Sequence, residues 1–119
     1  MNAETKKRLT EGGIDVDGAL ERMLGSETLL LSLLKKFAKD KNYERWLISM
    51  DAGDLQEATE AAHALKGISG NLSITELYLL FGKQVEELRA GKREEAQAMR
   101  LQIMEAYERA IGAIRELET

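Results

Sequence analysis

The chain contains no cysteine. Disulfides, thiolate nucleophiles and cysteine-based zinc sites are therefore excluded. Proline is also absent and aromatic residues make up only 5%, a composition that suits long helices and argues against a β-sandwich or barrel. His63 is the single histidine, so one chain cannot build a site from several imidazoles. No apolar run approaches a membrane span; Leu29-Leu30-Leu31 is far too short. The first residues, Met1 to Arg8, carry charges with no apolar stretch behind them and do not read as a secretory signal. The expected location is cytoplasmic.

The sequence is 119 residues long, enough for one domain, taken as residues 1–119. At 44% hydrophobic and 32% charged it has the material for a core and a well-solvated surface. Its 17 basic and 21 acidic residues give a net charge of −4 and are mixed along the chain. They form no basic stripe with interleaved aromatics, so neither a nucleic-acid nor a membrane partner is expected, and a monomer is.

Helix signals follow one another with short breaks. Thr5–Thr10 predicts a short helix stopped by Gly12-Gly13, and Asp15 or Asp17 caps a second that ends at Gly25. Ser26 caps a third, with Leu29, Leu30, Leu33, Leu34 and Phe37 at helical spacing. A polar break at Lys39-Asp40-Lys41-Asn42 precedes the stripe Tyr43, Leu47, Met50, with Trp46 beside it, closed by Gly53. Asp54 with Glu57 and Ser73 with Glu76 have capping-box spacing and open two further helices, ending near Leu72 and Gly91. From Lys92 to Leu117 apolar residues recur at steps of three and four, predicting one long final helix. The fold class is all-α: an antiparallel up-and-down four-helix bundle with short additional N-terminal helices.

The segment from Asp54 to Leu72 departs from ordinary helix composition. At about 100° per residue, Ala58, Ala61, Leu65, Ile68 and Leu72 form a core stripe, and His63 lies opposite them. Lys66, Gly67 and Gly70 share the histidine's side of the wheel. An interior glycine costs about 0.5–1 kcal/mol relative to alanine, and two on a solvent face gain nothing from core packing. They clear side chains from around the imidazole, leaving it accessible to a large partner. An imidazole has a reference pKa of about 6.5 and offers a nucleophilic nitrogen near neutrality. A lysine ammonium one turn away can stabilise the charge on a transferring phosphoryl group. No carboxylate or hydroxyl is spaced as a triad partner of His63.

The stretch Ala62-His63-Ala64-Leu65-Lys66-Gly67-Ile68-Ser69-Gly70-Asn71-Leu72 resembles the signature of histidine-containing phosphotransfer (HPt) domains, the four-helix-bundle modules of multistep phosphorelays. The resemblance covers most of the chain: Gly13-Ile14-Asp15-Val16-Asp17 is similar to the family's lead-in, and Asp51-Ala52-Gly53-Asp54 to the turn before the histidine helix. It implies a phosphoprotein of two-component signal transduction. His63 accepts a phosphoryl group from a receiver-domain aspartate or a kinase and passes it to a receiver-domain aspartate. Lys66 stabilises the phosphoryl group, and Gly67 with Gly70 gives partners access. The resemblance also implies a polar residue on the following helix reaching toward the histidine, for which Gln84 is the candidate and Lys83 the alternative. Ser73 stands where many members have glycine and is read as a helix cap.

Partners in this reading are response-regulator receiver domains, a hybrid sensor histidine kinase, or both. The chain is a carrier without independent turnover and holds no cofactor or metal of its own; Mg²⁺ comes with the receiver. The alternative is a helical adaptor that binds a signalling partner through the His63 face and is never phosphorylated. A hydrolase or transferase with its own pocket is disfavoured for want of convergent polar residues.

Overall fold

Capping side chains begin several helices in the computed structural model, which describes residues 1–118. Asn2 accepts from the Thr5 N–H at 2.8 Å and opens α1 (Ala3–Glu11). Asp15 accepts from Gly18 N–H at 3.1 Å ahead of α2 (Val16–Arg22), and Ser26 from Leu29 N–H at 3.2 Å ahead of α3 (Glu27–Ala38). Each satisfies an orphan donor of the first turn. After a break, α4 (Asn42–Ala52) runs to Gly53, whose φ of 70° is left-handed and suits a residue without Cβ. Asp54 accepts from Glu57 N–H at 3.1 Å and starts α5 (Leu55–Asn71). Then come α6 (Thr75–Arg89), α7 (Arg93–Ala98), α8 (Arg100–Arg115) and a closing 3-10 turn, Glu116–Glu118.

The described residues are thus all-helical, with eight α-helices where a four-helix bundle with short N-terminal additions was expected. One excess element comes from the final helix, which is interrupted at Met99. The expected seam is buried at Ala96, Met99, Ile103, Ala106, Ala110 and Ala113 and half-buried at Leu117, so its period was right and its continuity was not. The carbonyl of Ala96 accepts the Met99 N–H at 3.3 Å, an i→i−3 bond, and also the Gln84 side-chain amide at 3.3 Å. A side chain inserted into the helix ladder is a common cause of such a break.

The second capping box does not form. Ser73 has a left-handed φ of 56°, and Ile74 occupies the position before α6 without a side-chain cap. The Ser73 hydroxyl accepts from Arg22, while Glu76 pairs with Arg109 at 3.0 Å. Both side chains meant for the cap are engaged by arginines from other helices. The same turn is tied to the N-terminal region by an isolated antiparallel bridge between Ile14 and Ile74, with the Asp15 N–H donating to the Ser73 carbonyl at 2.9 Å.

One hydrophobic core runs through the molecule, with Trp46, Phe81, Leu34, Leu65, Leu77 and Ile103 among its largest fully buried side chains. Trp46 and Phe81 meet edge to face at 5.4 Å between centroids and join α4 to α6. Helix α5 packs between α4 and α6, which leaves one long strip of its surface uncovered. Among the described residues no helix is long and apolar enough to cross a membrane.

Candidate functional site

The uncovered strip carries His63. Ala58, Ala61, Ala62, Leu65 and Ser69 turn α5 inward, and the imidazole stands exposed on the other side. The inward face is rotated slightly from the expected one: Ile68 is half-buried, and Ser69 takes a fully buried place. Ser69 can do so because its hydroxyl donates to the Leu65 carbonyl at 2.7 Å and leaves no polar atom unpaired.

Gly67, one turn after His63, is open as expected: a Cβ there meets nothing within 4 Å. Gly70 corrects the expectation. A Cβ at that position would lie 2.8 Å from Cδ1 of Tyr78, so its missing side chain seats an aromatic ring from α6. The cleared strip is centred on Gly67, and Gly70 belongs to a helix–helix contact.

Lys66 is half-buried. Its stem runs across α6 at Gly82, where a Cβ would stand 3.5 Å from the lysine Cε. Its ammonium lies 5.9 Å from the centroid of the Tyr78 ring, within cation–π range. Tyr78 and Gly82, one turn apart on α6, are participants that the sequence reading passed over. Their signal was a tyrosine and a glycine at i, i+4 on the outward side of a helix whose Leu77, Leu80 and Phe81 face the core.

Gln84 is a second correction. It is 0% exposed, and its amide donates to the Ala96 carbonyl and contacts the Met50 sulfur at 3.7 Å. Its position places it on the buried stripe with Phe81 and Leu88, and those partners hold it between α4 and α7, away from the exposed imidazole. Lys83 is exposed and lies 3.9 Å from Glu87 on its own helix. The structure brings Lys66 and Gly67 together with His63 and does not add Gln84 to them.

On the α4 side, Arg45 donates to Glu57 and, at 2.8 Å, to Glu60, one turn before His63. Hydrogen bonding to Arg45 holds the Glu57 carboxyl below its usual range, and the same contact raises the guanidinium. The histidine therefore has on one side an acidic turn whose two carboxylates share one arginine, and a lysine on the other. Among the described residues no group of three or more histidine, cysteine or carboxylate side chains is placed to hold a metal ion.

A shallow groove leads away from Gly67, lined by Arg22, Asn71, Tyr78 and Leu79. Leu79 is 63% exposed and Tyr78 39%, so the groove has an apolar wall facing solvent. In comparisons with known proteins, the chain matches no family model, no curated protein and no solved structure.

Proposed function

We propose that this chain is a phosphorelay carrier of the HPt type, with His63 as the phosphoacceptor. The observation that supports it is the exposed imidazole on the uncovered side of α5, followed one turn later by open space at Gly67. In this reading the four rods of the bundle are α3 with α4, α5, α6, and α7 with α8. A receiver domain presents an aspartyl phosphate over the Gly67 strip. A ring nitrogen of His63 attacks phosphorus and forms the N–P bond. The P–O bond to the aspartyl carboxylate breaks, the carboxylate leaves with the electron pair, and the ring's N–H proton is released to solvent. Reversal onto a second aspartate completes the relay. Lys66 supplies positive charge to the phosphoryl oxygens as the group passes.

The test is incubation with a receiver domain charged by acetyl phosphate. The wild-type chain should gain an acid-labile, base-stable phosphate, and His63→Gln should gain none while keeping its helical content. An unlabelled wild-type chain, or a labelled His63→Gln, refutes the carrier reading. The adaptor reading draws on the exposed Leu79 and Tyr78 beside the strip and is the one left standing if the wild-type chain binds a receiver but takes no phosphate.

A further inference from the structure

We infer that Tyr78 is a positioning residue for Lys66: its ring holds the lysine ammonium on the α6 side of the His63 strip. The inference rests on the carrier reading for its consequence in transfer, and on geometry alone for the placement itself.

Two glycines flank the placement, and Gly70 is the one that makes room for it. Interior glycines weaken helices, so a pair aligned with one aromatic ring and one lysine calls for an explanation. At Gly70 the absent Cβ leaves room for the Tyr78 ring, whose Cδ1 and Cε1 would otherwise lie 2.8 and 2.9 Å from it. At Gly82 the Lys66 stem crosses α6 with its Cε 3.5 Å from where a Cβ would stand, an ordinary van der Waals separation, so this glycine marks the crossing without being required for it. The stem then delivers Nζ to 5.9 Å from the ring centroid. The surroundings of the ring are themselves pinned: the Gly70 carbonyl accepts from Arg22 at 2.9 Å, and the Tyr78 N–H donates to Ile74 at 2.9 Å in the first turn of α6.

A lysine has four side-chain torsions and, left free, samples the open space over Gly67 as readily as any other direction. That space is where the phosphoryl donor must enter. A cation held over the ring face keeps the strip clear and stays within a side-chain swing of His63. Attraction at a partly exposed ring is modest, so the ammonium leaves it for the more strongly charged phosphoryl group. The tyrosine hydroxyl has no part in this; the ring face does.

The experiment compares Tyr78→Phe, Tyr78→Leu and Lys66→Ala, with the Tyr78→Leu/Lys66→Ala double variant. Lys66 Cε protons in the wild-type chain should show an upfield ring-current shift, kept in Tyr78→Phe and lost in Tyr78→Leu. Transfer from an acetyl-phosphate-charged receiver domain should slow about two- to fivefold in Tyr78→Leu and stay at the wild-type rate in Tyr78→Phe. In the Lys66→Ala background, Tyr78→Leu should add nothing. A wild-type Lys66 without the shift overturns the inference, and so does a full additional loss in the double variant, which would mean that Tyr78 touches the partner directly. Should Tyr78→Leu fold poorly, Gly70→Ala displaces the ring from the other side and should likewise abolish the shift. If wild-type His63 accepts no phosphate, the carrier reading fails, while the proton shifts still decide whether Tyr78 places Lys66.

Discussion

Gly67 and Gly70 stand three residues apart on one helix, yet a methyl group added to each meets opposite surroundings. At Gly67 it meets open space; at Gly70 it runs into the Tyr78 ring. Gly67→Gln should raise stability by about 0.5–1 kcal/mol through helix propensity. It should also block transfer to His63, because the new side chain fills the strip the donor must enter and reacting atoms need to approach within about 3–3.5 Å. Gly70→Ala should forfeit most of the propensity gain, since the ring has to move. Thermal melts of both variants with a phosphotransfer assay check this; a Gly67→Gln protein transferring at the wild-type rate would end the access argument. Helical period alone set both glycines on the histidine's side of α5. It could not separate them, because the Tyr78 ring arrives through the docking of α6, which no local spacing encodes. Gln84 failed for a related reason: its place came from resemblance, while the apolar period of its own helix put it with Phe81 and Leu88 in the core.

Between α4 and α5, Arg45 joins Glu57 and Glu60 across the helix pair that presents His63. The Glu57 carboxyl is held below its ordinary 4.5 in the folded chain. The unfolded chain therefore binds the proton first as pH falls. The contribution is complete above the ordinary value and is lost as pH drops through the folded one. Glu57→Gln should melt below the wild-type chain at pH 7, and the gap should close below about pH 4; a gap independent of pH would assign the loss to packing. The contact is solvent-exposed, so it should also shrink in high salt. Elements of this size were largely legible. Ser26, Asp54 and the pair Asp15 or Asp17, of which Asp15 makes the bond, announced three helix starts because a cap is a bond between near neighbours. The interruption at Met99 was not legible, because the Gln84 amide that meets Ala96 comes from a helix about a dozen residues earlier in the sequence. Ser73 misled for the same reason, its hydroxyl being taken by Arg22 from the N-terminal region.

Across the whole molecule, α4 meets α8 through the stacked rings of Tyr43 and Tyr107, with centroids 3.5 Å apart and planes 8° from parallel. The Tyr43 hydroxyl is buried without a partner, and burial, with Glu108 adding to it, pushes its pKa up to about 12. Here the folded chain keeps a proton that the unfolded chain releases near pH 10, so this contribution is present below that value and is lost as pH rises above it. Tyr43→Phe should flatten the alkaline limb of stability between about pH 10 and 12 without loss at pH 7; melts across that range decide it, and an unchanged limb would exonerate the phenol. That α4 and α8 would share an aromatic stack was not readable from residues this far apart in sequence. The helical class was, because the lack of proline and the three-and-four spacing act everywhere along the chain. The bridge between Ile14 and Ile74 gives the architecture a load path. With Asp15 on the Ser73 carbonyl and Arg22 on Gly70 and Ser73, the first two helices are buckled to the turn that ends the His63 helix. A pull that has freed Met1 from Glu27 and peeled α1, with its buried Leu9, from α8 is therefore handed on at Ile14 and Asp15 to the foot of that helix.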